Sequence, residues 1–288
     1  MTMLKKRRTS TSDHGGSGAA VKDQRLRELL SGFSSAIVAF SGGVDSAYLS
    51  VVATQVLGAG ALCVTADSPS YPEHHRSLAR QVAGAFALRH EIIATAELDR
   101  PEYRANPVNR CYYCKQELYS ALTALAGERA IDVVLDGNNA DDRGDYRPGR
   151  QAAREHGVRS PLDEVGLTKA EIRELSRAAG MATWDEPASA CLSSRVPYHT
   201  AITEQVLRKI ERAEDGIRDL GFRVCRVRHY DDAARLELGA DELSRAQEPE
   251  WRDKILGAVR AAGYTHVTID PQGYRMGSLN EGIPLRAV

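Results

Sequence analysis

The apolar run Ala36-Ile-Val-Ala-Phe40 passes directly into Ser41-Gly-Gly-Val-Asp-Ser46, and Ala47 to Leu57 then carries a helical pattern. A short apolar stretch closed by two glycines and followed by helix reads as strand, tight loop, helix. With no Cβ at Gly42 or Gly43 the backbone can approach an anion, and Ser41, Ser46 and the free N–H groups at the helix start supply donors to phosphate oxygens. A Walker A loop is excluded, because that pattern ends Gly-Lys-Ser/Thr and here Asp45 precedes the serine. An acid at that place suits a pyrophosphate departing with Mg²⁺ better than a transferred γ-phosphate. The plainer alternative is a Gly-Gly turn capping an ordinary helix. Against it stands the order of strand, loop and helix.

The chain has 288 residues, enough for one large or two ordinary domains with a sizeable core. Hydrophobic residues at 42% and charged residues at 27% are ordinary for a soluble globular protein. A net charge of −1 argues against a general nucleic-acid binder but leaves room for a local basic site. The apolar runs are too short to span a bilayer. Residues 1–18 are basic and then rich in Ser, Thr and Gly, and they read as a disordered tail. Arg7-Arg8 is not a twin-arginine signal, since no apolar region follows, so a cytoplasmic location is expected. Five cysteines, an odd number without a signal, point to thiols or metal ligands rather than disulfides.

Strand and helix signals alternate through the first part of the chain. A helix from about Ala19 to Leu30 precedes the first strand, and Ala61 to Ala66 forms a second strand, closed by Asp67-Ser-Pro-Ser70. A helix over 72–84 leads to a third strand at Leu88 to Ile93, and Ile131 to Leu135 is the fourth. This is an α/β pattern with a parallel sheet and right-handed crossovers. Cys63, inside the second strand, is expected in the core. Between the third and fourth strands lies the unusual stretch Asn106 to Cys114, opening a helix to about Ala126. Ligands sit at the carboxyl ends of parallel strands, so the loops at 41–46, 67–70 and 136–142 converge on one crevice. Arg150 to His156 reads as a short helix, Arg159 to Leu162 as a last edge strand, and Thr168 to Ala179 as a helix with a Thr168/Glu171 capping box, closed by Gly180.

Domain boundaries follow at 19–183 for the nucleotide domain, 184–202 for an irregular connector and 203–288 for a smaller α+β domain. The last has helix over 204–220, strands over 223–229 and 234–238, helix over 249–262 and strand over 265–269. No internal repeat is present.

Three features carry chemistry. Cys191 lies in the connector among the small residues Ala188, Ser189 and Ala190, with Arg195 four residues on; a nearby cation favours the thiolate, although an unpaired cysteine is also commonly inert. Cys111-x-x-Cys114 stands at a loop-to-helix junction, where two thiols can hold one metal or one edge of a cluster. With Cys191 they make three thiolates; zinc wants a fourth ligand, and a reduced or redox pair is the remaining possibility. Arg226 and Arg228 share one face of a strand, with Cys225 and Val227 on the core side. They can clamp a phosphate or simply be solvated.

SGGVDS at 41–46, DGNNADDRGDYRPG at 136–149, PASACLSSRVPY at 187–198 and RVRHYDDAARLE at 226–237 together resemble the ATP-dependent sulfur transferases called the LarE family, pyridinium-3,5-bisthiocarboxylic acid mononucleotide synthases. The resemblance covers nearly everything after residue 20. SGGVDS alone is shared with the wider PP-loop ATP pyrophosphatase superfamily, which includes NAD and GMP synthetases and tRNA-thiolating enzymes; the PASACLSSR and DYRPG strings are more specific.

The resemblance implies a PP-loop domain binding ATP and Mg²⁺ through Ser41, Gly42, Gly43, Asp45 and Ser46, with Asp67, Asp136 and Gly137 around the nucleotide. It implies adenylylation of a carboxylate of pyridinium-3,5-biscarboxylic acid mononucleotide, followed by sulfur attack, on the way to the nickel-pincer nucleotide cofactor of lactate racemase. Arg226, Arg228, Glu214 and Glu237 match positions for the substrate phosphate or a nearby metal. In one branch of the family the cysteine aligned with Cys191 gives up its own sulfur. Cys111 and Cys114 match another branch, in which three cysteines bind a 4Fe-4S cluster. The family also implies a homo-oligomer, a ring of six, and dealings with other proteins of nickel-pincer cofactor synthesis, without nucleic acid or membrane. The competing classes are a tRNA-thiolating enzyme, which wants an RNA-binding surface, an ammonia-dependent synthetase, which wants an ammonia source, and a non-catalytic nucleotide-binding regulator.

Overall fold

The computed structural model describes residues 18–144, 148–187, 190–275 and 277–280. The expected tail at 1–17, the DYR triplet at 145–147, and Ala188 and Ser189 lie outside the described residues. The chain opens with α1 (Gly18–Ser31), β1 (Ala36–Ala39), α2 (Val44–Leu57), β2 (Ala61–Asp67), α3 (Glu73–Ala85) and β3 (His90–Ala94). It continues through α4 (Pro101–Arg104), α5 (Arg110–Glu128), β4 (Val133–Leu135), α6 (Gly149–Glu155), α7 (Pro161–Glu164) and α8 (Lys169–Ala178). The four strands pair in parallel in the order β3-β2-β1-β4. This is the α/β architecture expected from the alternating signals.

Strand alternation explains the two layers. Val38, Ala61 and Cys63 pack with α1, α2 and α3, whereas Ile37, Leu62 and Val64 face α5 and α6 on the other side. With both faces covered the central strand β1 is apolar throughout, as a buried parallel strand must be, whereas the edge strand β3 carries His90 and Glu91 and leaves Ile92 exposed. Cys63 is fully buried, as expected. Each large side chain sealed between these layers contributes about 1.5–3 kcal/mol.

One strand is not there. At Arg159 to Leu162 only Arg159 bridges to Leu135, after which Pro161 opens α7. Proline has no N–H for a ladder, while its fixed φ suits the first turn of a helix. Helix α2 begins at Val44, three residues before the apolar pattern suggests, so that Asp45 and Ser46 belong to its first turn. The Thr168/Glu171 capping box is formed at the start of α8.

The second sheet follows α9 (Glu204–Asp219): β5 (Cys225–Tyr230) runs antiparallel to β6 (Ala233–Leu238), and β7 (His266–Ile269), reached through α10 (Leu243–Gln247) and α11 (Pro249–Ala261), joins β6 in parallel. Leu207, Ile210 and Ile217 of α9 and Ile255 and Val259 of α11 pack on Cys225, Val227 and Leu236. The same core takes in Tyr103, Leu192, Val196 and Ile202, residues that precede the second sheet. Among the described residues no helix is long and apolar enough to cross a membrane.

Candidate active site

The carboxyl ends of β1, β2, β3 and β4 open into one cleft of about 800 Å³, lined by Ser41, Gly43, Asp45 and Ser46, by Ser68 and Ser70, and by Asp136, Gly137 and Asp142. Cys114 and Cys191 line the same cleft. The three expected loops therefore meet.

Ser46 fastens the glycine loop: its Oγ accepts from Ser41 N at 3.1 Å, lies 3.0 Å from Ser41 Oγ and donates to Gly43 O at 3.1 Å. Gly42 takes a φ of +67°, and a Cβ there would stand 2.8 Å from Ala79 N and 2.9 Å from His75 O. Gly137 is equally constrained, since its Cβ would come within 2.9 Å of Ser46 N. Gly43 differs. A Cβ on it would meet only Ser41 Oγ, at an ordinary 3.6 Å, so the protein itself does not demand glycine there. Gly43 also forms the N-cap of α2 without a capping side chain, leaving first-turn N–H groups for an anion.

Asp45 pairs with Lys169 through Oδ2, while its buried Oδ1 has no hydrogen-bond partner. Burial raises its carboxyl, and Lys169 works in the opposite direction. An orphaned carboxylate oxygen beside buried Asp142 fits a divalent cation. Asp136 is a hub for the last loop, accepting from Tyr119 Oη at 2.8 Å, Ser160 Oγ at 2.7 Å and Asn138 N at 3.1 Å. Asp67 stands apart: it ends β2, pairs with Arg76 and lies outside the cleft lining.

Cys191 opens a short helical turn, Leu192–Arg195. Arg195 donates to the carbonyls of Ala190 at 2.7 Å and Cys191 at 2.9 Å and is only 2% exposed. Its charge is committed to Glu214, which it grips at 2.8 and 2.9 Å. The arginine thus shapes the backbone around Cys191. Glu214 also accepts from Arg218 at 2.9 Å and Val227 N at 3.0 Å. Burial alone would raise its carboxyl, but Arg195, Arg226 and Arg218 outweigh this and hold it at about 2.

The stretch before α5 clasps the same segment. Asn106, fully buried at a φ of 52°, donates Nδ2 to the carbonyls of Val196, Pro197 and Thr200 at 3.3, 2.7 and 3.1 Å. Arg110 donates to Asn106 Oδ1 and, at 2.8 Å, to Ser193 O. Cys111 and Cys114 sit in the first turn of α5, one exposed and one half-buried. Desolvation pushes the Cys114 thiol up, helped by the charges of Cys191, Glu97 and Cys111 and opposed by Lys115. The charges of Cys191 and Cys111 both reach Arg110. Among the described residues, the set of three donor atoms within 4.8 Å of one another is His74, His75 and Glu186, not the cysteines. The three thiols stand around one clasp, Cys114 and Cys191 in the cleft lining and Cys111 outside it, and their sulfurs do not all come within 4.8 Å of one another.

Arg226 and Arg228 are buried, at 8% and 5% exposure, so the solvated reading of that face fails. Arg228 donates to Ser194 O at 2.9 Å, Glu237 Oε2 at 2.6 Å and Ser278 Oγ at 2.7 Å, while its Nε has no partner. Arg226 lies 5.1 Å from the Tyr274 ring and donates to Cys225 O at 2.8 Å. Glu237, fully buried, also accepts from Arg235 at 3.2 Å. Residues that sequence reasoning missed include Lys169, Asn106, Arg110, Lys115 and Glu97. Only Glu97, just past the end of β3, could have been found by the strand-end rule.

No family model matches the chain. It is 41% identical over 259 residues, 90% of this chain and 97% of the other, to an uncharacterized protein of Synechocystis. A Methanocaldococcus jannaschii protein, also uncharacterized, is 29% identical over 239 residues, covering 83% of this chain and 90% of its own. The pyridinium-3,5-bisthiocarboxylic acid mononucleotide synthase of Lactiplantibacillus plantarum is 32% identical over 263 residues, 91% of this chain and 95% of that enzyme. With a relative of that identity aligned almost end to end, the chain belongs to the LarE family of pyridinium-3,5-bisthiocarboxylic acid mononucleotide synthases.

Proposed function

We propose that the protein is an ATP-dependent sulfur transferase that converts carboxylates of pyridinium-3,5-biscarboxylic acid mononucleotide to thiocarboxylates, for the nickel-pincer nucleotide cofactor. The observation that carries this reading is the presence of Cys114 and Cys191 in the lining of the cleft that also holds the glycine loop. ATP and Mg²⁺ bind at 41–46, with the α2 N-terminus and the open face of Gly43 receiving phosphate oxygens and Asp45 Oδ1 receiving the cation. A substrate carboxylate oxygen attacks the α-phosphorus, the bond to the bridging oxygen breaks, and pyrophosphate leaves with Mg²⁺. A sulfur nucleophile then adds to the acyl carbon and AMP departs with the electron pair. Arg226 and Arg228 hold the substrate phosphate, with Glu237 setting the Arg228 fork and Glu214 setting Arg195.

Cys111, Cys114 and Cys191 would hold a 4Fe-4S cluster, which when bound would supply sulfide as the sulfur nucleophile. The protein works in the cytoplasm as a homo-oligomer alongside other proteins of that biosynthesis, and without nucleic acid.

Anaerobically purified protein is expected to contain about four irons per chain, to lose them on Cys111→Ala, to release AMP and pyrophosphate with substrate, and to keep its mass through turnover. Absence of nucleotide cleavage overturns the reading. Iron-free protein that loses one H₂S from Cys191 makes the protein itself the sulfur source.

A further inference from the structure

Glu97 lies just beyond the carboxyl end of β3, is 3% exposed and lines the cleft. One carboxylate oxygen accepts from the hydroxyls of Ser68 and Ser70, and the other accepts from Thr95 Oγ1 at 3.1 Å. All three donors are neutral. Two cations of the neighbouring elements are engaged elsewhere: Arg100 donates to Gln116 at 2.9 Å and approaches Glu117, while Lys115 lies 5.8 Å from the Tyr119 ring centroid. Glu97 and Lys115 both act electrostatically on Cys114, yet among the described residues they form no ion pair with each other. The cleft thus holds a buried carboxyl group whose hydrogen bonds come from neutral hydroxyls and which, among the described residues, forms no ion pair, although Lys115 and Lys169 also line the cleft. Such a group is costly to bury until a cation meets it.

The sheet order decides where that cation comes from. Across β4-β1-β2-β3 the cleft runs from Asp136 and Lys169, through the glycine loop and the serines at 68 and 70, to Glu97. A triphosphate is anionic and is favoured at the glycine loop, away from a carboxylate. Adenine is neutral and leaves the charge uncompensated. A cleft of about 800 Å³ has room for a second small ligand beside the nucleotide.

We propose that Glu97 is a specificity-determining residue that recognises the positive charge of the substrate's pyridinium ring; this rests on the function proposed above. Ser68, Ser70 and Thr95 hold the carboxylate in place, and Lys115, which lines the same cleft, is available to the ring's own carboxylates. The recognition is by charge, so a ring of the same shape without the charge is rejected.

The test is isothermal titration of the full-length protein with ATP, with pyridinium-3,5-biscarboxylic acid mononucleotide, and with the neutral benzene-3,5-dicarboxylate C-riboside phosphate of the same shape. Wild type is expected to prefer the pyridinium compound by about tenfold or more, and Glu97→Gln to bind both mononucleotides within about threefold of each other. ATP affinity, unchanged in Glu97→Gln, verifies its fold; Thr95→Val, which keeps the charge, is expected to keep the preference. A preference that persists in Glu97→Gln, or its absence in wild type, overturns the role of Glu97 while leaving the function standing. Wild type that binds ATP but neither mononucleotide overturns both.

Discussion

Gly42 and Gly43 are neighbours with different reasons to be glycine. Gly42→Ala puts a Cβ against Ala79 and His75 in a left-handed conformation, so it is expected to lower stability by about 1–3 kcal/mol in urea unfolding. Gly43→Ala meets only Ser41 Oγ, at ordinary contact distance; it is expected to leave the unfolding curve in place and weaken ATP binding by about tenfold or more, read by titration calorimetry. Glu214 and Arg195 show the opposite kind of constraint. Glu214→Gln leaves a guanidinium at 2% exposure without its charge partner, an expected loss of about 3–5 kcal/mol in the same assay. His75 carries a pH dependence. Burial, with His74 and three arginines, holds its imidazole at about 3, far below the ordinary 6.5. As pH falls below 6.5 the unfolded chain takes up this proton while the folded one does not. Stability present above that pH is therefore lost on acidification toward 3, with a slope of up to about 1.4 kcal/mol per pH unit. Thermal unfolding between pH 7.5 and 5.5 is expected to reveal this slope, flattened in His75→Gln.

Among the elements, the clasp around Asn106 is the decisive one, because four backbone groups of 196–200 turn to a single residue. Asn106→Ala is expected to cost about 2–4 kcal/mol, to speed hydrogen exchange across 193–202 and to quicken alkylation of Cys191. None of this was legible beforehand. Period-two and helical patterns mark which residues share a face, and that sufficed for β1 to β4 and for the burial of Cys63. They do not say what covers a face: β5 places Arg226 and Arg228 on one side, and only the folded chain brings Ser194 and Ser278 to Arg228 there. Pro161 misled for a local reason: Arg159-Ser-Pro-Leu162 reads as a short edge strand, yet its proline has no N–H for a ladder and opens a helix instead. The glycine loop was readable because its chemistry is contiguous in sequence. Lys169, 124 residues from Asp45, gave no such signal.

At the scale of the whole molecule the two sheets do not have separate cores in sequence. Tyr103 and Leu98, which precede β4 of the first sheet, pack in the core of the second. A chain cut after residue 187 loses the partners of those side chains and is expected to bind a hydrophobic dye and lack a cooperative thermal transition. Full-length protein is expected to unfold in one step by far-UV circular dichroism. Two steps, with the fragment folding alone, would contradict this packing.

The clasp also bears on descent. Asn106 and Arg110 hold the 193–202 segment from the same turn that launches Cys111 and Cys114, so the thiols are transmitted as a pair of mutually dependent stretches, 98–114 and 190–202. Either stretch moved alone into another scaffold arrives without its anchor.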